Sequence, residues 1–151
     1  MFQFGNSGWL ELWNNFERVF ASYILTATIG WERETEESSA GVRTFPIVGM
    51  ASCGYLLLLG GQHDVAAQSR LLQGLITGIG FIGGGAILKS GTTVRGTATA
   101  ASVWNAGVIG AAVATDHFGT AITLTLLNVF TLRALLPLKR WLDRKQPIQG
   151  E

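Results

Sequence analysis

The residues with the strongest chemical signature are the glycines in the stretch TGIGFIGGGAILKSG. Gly78, Gly80 and Gly83 form G-x-G-x-x-G, the spacing with which a loop cradles the pyrophosphate of a dinucleotide. Lys89 and a serine follow, as at the end of a phosphate-binding loop. Such a site requires a buried strand before the glycines and a helix that begins at the phosphate. The elements around the motif therefore decide whether it can bind a nucleotide.

Long stretches without charge dominate the chain. Three runs, 44–62, 71–88 and 96–115, have 18 to 20 residues each and contain no charged side chain. That is about what an α-helix needs to cross roughly 30 Å of hydrocarbon. A soluble helical protein with buried core helices is the alternative, which short charged loops between such runs disfavour.

The sequence therefore predicts an all-α integral membrane protein, a bundle of five transmembrane helices. Their expected positions are near 10–31, 44–61, 70–88, 97–114 and 118–138.

Lysine and arginine counts predict the topology. Placing the N-terminus outside puts nine of the 11 Lys and Arg residues on the cytoplasmic side, where multi-pass proteins concentrate them. We expect residues 1–138 to form the transmembrane domain and residues 139–151 a basic cytoplasmic tail. This topology places the C-terminus in the cytoplasm.

The setting of the glycine motif excludes the nucleotide site. The preceding run is a membrane segment, and no acidic residue stands about 20 residues downstream, where a ribose would need one. We interpret the glycines as packing surface on a central helix, since small residues let membrane helices approach closely. The alternative is a helix break that exposes backbone to a substrate. The residues concerned are Gly78, Gly80, Gly83, Gly84 and Gly85.

A group of polar residues falls at the predicted cytoplasmic ends of helices 1, 2 and 4. Glu32 stands where it could pair with Arg43 or Arg95. The two hairpins, helices 1–2 and 3–4, also share a Val-Arg entry, which suggests two parallel helix-hairpin repeats plus a fifth helix. The alternative is a set of interfacial charges that only fix topology. The group comprises Glu32, Arg33, Arg43, Thr44 and Arg95.

Two amides lie at mid-membrane positions, Asn105 in helix 4 and Asn128 in helix 5. A polar amide in hydrocarbon needs a partner, so both should face protein or water. Hydrogen bonds between helices and a path for a solute are the two interpretations. On the outer side, the pairs His63-Asp64 and Asp116-His117 could sense pH or a divalent cation, or could be ordinary loop residues.

No arrangement of residues typical of an enzyme is present in the sequence. Ser/His/Asp, Cys/His and HExxH patterns are missing. We therefore predict no catalytic residue, no metal site, no cofactor, and no nucleotide or nucleic-acid partner.

The chain contains the motifs IGWERETEESSAGVRT, QGLITGIGFIGGGAIL and VRGTATAASVWNAGVIG over roughly residues 16 to 115. In order and spacing, these three motifs resemble the MgtC/SapB family of bacterial inner-membrane proteins, so the resemblance implies a location in the bacterial inner membrane. The family pattern falls on Glu32, Arg33, Gly41, Arg43, Thr44, Gln73, Gly78, Gly80, Phe81, Gly83, Gly85, Val94, Arg95, Gly96, Ala100, Ala101 and Trp104.

The resemblance implies a membrane protein used under magnesium limitation or in virulence, which modulates other membrane proteins and is not an established magnesium transporter. Two departures stand out. Thr97-Ala98 replaces the usual Leu-Thr. We also expect a short SapB-like member, without the ACT-like domain that follows helix 5 in longer members.

Two functions follow as hypotheses. The first is a non-enzymatic modulator that binds partner helices, forms a homodimer in the lipid bilayer, and uses the cytoplasmic cluster to fix its conformation. The second is a transporter of a small solute or ion, with Mg²⁺ as one candidate, whose path passes Asn105 and helix 5.

Overall fold

The computed structural model describes residues 6–34, 40–59, 65–91 and 93–145, and these form five α-helices and one β-hairpin. The hairpin joins the third helix to the fourth, and its strands pair antiparallel with Lys89 opposite Val94. The elements are α1 (Asn6–Glu34), α2 (Thr44–Leu57), α3 (Val65–Gly85), β1 (Leu88–Ser90), β2 (Thr93–Arg95), α4 (Thr97–Ala114) and α5 (Phe118–Lys145).

The central helix of the bundle is α4, which packs against α1, α2, α3 and α5. Small residues make this possible, because a Cβ on Gly110 would collide with the backbone oxygen of Gly49, and one on Gly107 with the side chain of Ile79. The prediction that the glycine-rich third helix is central was wrong. α3 lies at the edge and buries Ile79 and Gly83. The many glycines of α3 suggested close contacts with several helices, but it is α4 that makes such contacts.

The predicted third helix ends earlier than expected, at Gly85. Its last turn is tightened, since the Ala86 N–H donates to the Gly83 carbonyl oxygen at 3.0 Å. The helix therefore runs through the three consecutive glycines and is not broken within them.

The β-hairpin between α3 and α4 was missed by the all-α prediction. Gly91 adopts φ +59, the region that tight hairpin turns need. Gly96 adopts φ +85, and a Cβ there would collide with the Ala86 oxygen. A glycine at position 96 thus lets the hairpin fold back against the end of α3 and lets α4 begin.

Two of the described helices are long and apolar enough to cross a membrane on their own. They are Thr97–Ala114 and the Phe118–Pro137 part of α5. α2 is apolar but has 14 residues, about 21 Å of helix at 1.5 Å per residue. The five predicted helices are therefore present. Length and composition support a membrane span for two of them, and the prediction of five spans stays a prediction.

Parts of two predictions fall outside the described residues. α5 continues past Pro137 to Lys145, so the first part of the predicted basic tail is helical, and residues 146–151 lie outside the described ranges. Residues 35–39 of the first hairpin also lie outside them. The parallel repeat of helices 1–2 and 3–4 therefore stays a prediction.

Candidate functional site: clefts along the central helix

Arg33 joins the last turn of α1 to the first turn of α4. Its side chain is buried, with 8% of the residue exposed. One guanidinium nitrogen, Nη2, donates to the Thr99 hydroxyl at 3.2 Å, and Thr99 is itself buried. A buried guanidinium is costly unless it is hydrogen-bonded, so this contact is specific to one arrangement of the two helices.

Glu32 contacts α5. The Arg133 Nε donates to its carboxylate at 2.6 Å, which forms an ion pair across 101 positions of sequence. Arg133 takes the place that we predicted for Arg43 or Arg95. The expectation was wrong because Arg133 follows a long apolar run and entered the sequence analysis only as one of the nine basic residues counted on the cytoplasmic side.

Arg43 and Thr44 begin α2, away from this ion pair. Arg43 is exposed at the N-cap and makes no side-chain cap. Glu34 holds the segment before α2 in place, since its carboxylate accepts a hydrogen bond from the Val42 N–H at 3.1 Å and lies against Gly41. The sequence showed Glu34 next to the cluster but gave no sign of this contact.

A cleft of about 410 Å³ opens between the start of α4 and α5, and we call it the arginine cleft. Arg33 and Arg95 both line it, so the structure brings these two predicted residues together, whereas Arg43 and Thr44 are not part of its described lining. The lining consists of Arg33, Val94, Arg95, Gly96, Thr97, Ala98, Thr131, Leu132, Leu135 and Leu136.

A second cleft of about 280 Å³ lies further along the same two helices, and we call it the amide cleft. Asn105 and Asn128 line it, and both make contacts between α4 and α5. The Asn105 Nδ2 donates to the Leu124 oxygen at 3.4 Å, and the Ser102 hydroxyl donates to the Asn128 Oδ1 at 3.0 Å.

The two clefts are neighbours along α4 and α5. Both are lined by Ala98, Thr131 and Leu132. The two clefts are therefore adjacent, one beside the arginines at the end of the bundle and the other beside the amides midway along it.

Most glycines of α3 have open space beside them among the described residues. A Cβ on Gly78, Gly80, Gly84 or Gly85 would find nothing within 4 Å among the described residues. Gly83 differs, since its Cβ would lie 3.1 Å from the Ala100 oxygen of α4. We call the outward surface of Gly80 and Gly84 the glycine face, since these two residues are four positions apart on one side of the helix.

On the other side of α3, Gly74 and Gly78 line a cleft of about 530 Å³ against α2. Its walls are mainly apolar and include Tyr55 and Ile82. Both sides of the helix are thus left open by the fold.

The opposite end of the bundle is held by Arg18, a residue that sequence reasoning assigned only to the outer side. It forms an ion pair with Asp116 at 2.9 Å and donates to the Ala114 oxygen, at the end of α4, at 2.7 Å. His117 Nδ1 lies 3.0 Å from the Thr115 hydroxyl. Asp116 therefore has a structural partner, and the pair His63-Asp64 lies outside the described residues.

Among the residues that the structure describes, no three His, Cys, Asp or Glu side chains are grouped as a metal site would require. The chemistry that the arrangement offers is therefore hydrogen bonding, positive charge at one end, and close helix packing.

Comparison with known proteins adds a family. The sequence model of the MgtC family matches residues 19–141. The chain is 29% identical over 139 residues to protein slr0014 of Synechocystis sp., covering 91% of this chain and 59% of that protein. It is 32% identical over 126 residues to the "Putative magnesium transporter YhiD" of Escherichia coli K12, covering 75% of this chain and 59% of that protein.

Protein MgtC of Brucella abortus is 27% identical over 135 residues, covering 89% of this chain and 57% of that protein. The chain thus spans less than two thirds of the length of these relatives. No solved structure gives a significant match.

Proposed function

The chain belongs to the MgtC family, and from that premise we propose that it is a five-span membrane protein that modulates other membrane proteins by binding their helices. The binding surface is the glycine face of α3. The protein acts in the inner membrane of a bacterium, with its N-terminus outside, during magnesium limitation or in stress and virulence adaptation. It has no catalytic activity of its own.

Exposed apolar side chains on every helix support the membrane placement. On α1, Trp13, Phe16, Phe20 and Tyr23 form a row of neighbouring rings with centroids 5.7 to 6.3 Å apart, all exposed. A soluble monomer rarely exposes large contiguous apolar patches, whereas hydrocarbon solvates them. Exposed examples on the other helices are Ile47, Phe81, Trp104 and Phe130.

The observation that carries the proposal is the open space beside the glycines of α3. In an aqueous helix interior, each glycine costs about 1 kcal/mol relative to alanine. Close packing of helix backbones in a bilayer can offset that cost, as in the G-x-x-x-G pattern that Gly80 and Gly84 form. No described residue of this chain fills the space at these positions, which supports the proposal that a helix of another chain packs there. That chain is a different membrane protein or a second copy in a homodimer.

Gly80→Leu tests this docking surface. The leucine side chain enters open space, so the chain should fold and insert normally, but it should block the approach of a partner helix. We predict loss of at least ninety per cent of co-purified partner from native membranes, measured by quantitative mass spectrometry.

The matched control is Gly119→Leu, since Gly119 also has nothing within 4 Å but lies at the start of α5. This variant should retain the partner. Equal retention by Gly80→Leu and Gly119→Leu would refute the glycine face as the binding surface.

A transporter is the second candidate, and the adjacent positions of the arginine and amide clefts along α4 and α5 favour it. No carboxylate is present in the described lining of either cleft, and two arginines stand at one end. Mg²⁺ requires oxygen ligands, usually with one or two carboxylates, and cations are repelled by guanidinium groups. The two clefts therefore suit an anion or a neutral solute better than the magnesium named for the YhiD relative.

A further inference from the structure

We propose that the arginine cleft is a binding site for a phosphate group at the cytoplasmic end of the bundle. The cleft has about 410 Å³, within the range of roughly 300–1,000 Å³ found for small-molecule sites. The group is supplied by the headgroup of an anionic phospholipid in the inner leaflet or by free phosphate. Only the lipid source rests on the membrane placement proposed above, and neither source rests on the glycine face.

Two guanidinium groups give the cleft its charge. Arg33 is held in place by burial and by its bond to Thr99. Arg95 is exposed at the end of β2 and makes no hydrogen bond or ion pair with a described side chain. Planar guanidinium groups recognise phosphate through paired N–H donors. Neither Asp nor Glu contributes to the described lining, and the nearby Glu32 carboxylate binds Arg133.

The start of α4 adds donors to the same cleft. Its N-cap is Gly96, which has no side chain and makes no cap, so the first-turn N–H groups of this 18-residue helix receive no side-chain acceptor. Gly96, Thr97 and Ala98 all line the cleft. The positive end of the helix dipole therefore faces the same space as the two arginines, an arrangement that favours an anion.

The far wall distinguishes this cleft from a fully polar site. Leu132, Leu135 and Leu136 of α5 line it. A phospholipid could place its phosphate at the arginines and its glycerol and upper acyl chain along these leucines. Basic pockets between membrane helices on the cytoplasmic side bind anionic headgroups in this way.

Arg95→Gln tests the site without removing a buried group. The full chain is placed in nanodiscs, and two probes are used separately. Phosphatidylglycerol in a phosphatidylcholine background is measured by the lipid retained in native mass spectrometry, and radiolabelled inorganic phosphate is measured in pure phosphatidylcholine discs. We expect Arg95→Gln to weaken the binding of one of the two probes about tenfold, the effect of losing one charge-assisted hydrogen bond.

Arg43→Gln is the matched control, since Arg43 is an exposed arginine at the same end of the bundle but outside the cleft lining. Loss of phosphatidylglycerol in Arg95→Gln alone assigns a lipid, and loss of phosphate binding in Arg95→Gln alone assigns a free anion. Equal effects of the two variants, or no binding of either probe by the unmodified chain, would overturn the proposal. Partner binding in Arg95→Gln is measured separately and reports on the glycine face.

Discussion

Charged residues in this protein connect helices at both ends of the bundle. Arg33 contacts Thr99 and Glu32 contacts Arg133 at one end, while Arg18 contacts the end of α4 at the other. The sequence could place Glu32 and Arg33 at the end of α1, because charges stop an apolar run. It could not supply their partners, which lie 66 and 101 positions away and depend on how α4 and α5 are rotated in the bundle.

Asn105→Leu tests transport of Mg²⁺, one form of the transport alternative, at the residue where the amide cleft reaches the middle of α4. The described amide donates to the Leu124 oxygen and joins two helices. We predict that proteoliposomes with the unmodified chain and with Asn105→Leu take up Mg²⁺ at the same rate as empty liposomes, measured with an entrapped magnesium dye. Uptake by the unmodified chain that Asn105→Leu abolishes would support a transporter instead.

At the scale of elements, glycine has opposite uses in α3 and α4. In α4, the Ile79 side chain occupies the space beside Gly107, and the backbone of α2 occupies the space beside Gly110. In α3, Gly80 has open space beside it among the described residues. Composition alone predicted that the glycines of α3 form packing surface, and it could not tell contacts within the chain from a surface left for another chain. The β-hairpin was also missed, since its strands have three residues each and lie in a short polar segment between two apolar helices.

Gly110→Ala and Gly80→Ala separate these two uses. The new methyl group in Gly110→Ala meets the Gly49 oxygen and lies 3.0 Å from the Ser52 Cβ, so α2 and α4 must move apart. We predict a loss of about 1–3 kcal/mol in the free energy of unfolding, the usual cost of overpacking. Denaturant titration of the chain in detergent, without a partner, provides the measurement.

Gly80→Ala serves as the comparison in the same titration. Its methyl group meets nothing, and alanine favours a helix over glycine by about 1 kcal/mol in an exposed helix interior. The free energy of unfolding should be unchanged or higher. A larger loss in Gly80→Ala than in Gly110→Ala would mean that α3 is packed by its own chain.

At the scale of the whole molecule, family membership and five helices agree with the sequence-based interpretation, while the arrangement differs from it. Runs without charge gave the number of helices, because hydropathy depends on local composition. The position of α4 at the centre depends on which small surfaces meet, which single-helix patterns do not contain. The result is a bundle whose own contacts are made by α4 and whose α3 is left open on two sides.

The most direct test of the docking surface is photocrosslinking in native membranes. In one variant, a photoreactive residue replaces Phe81, which is 85% exposed and lies between Gly80 and Gly84 in the sequence. In a second variant of the same protein, it replaces the exposed Leu126 of α5. We predict crosslinks to another membrane protein or to a second copy from position 81, and their loss when Gly80→Leu is added. Crosslinks of equal yield from positions 81 and 126, or none from position 81, would contradict the proposal that α3 binds partner helices.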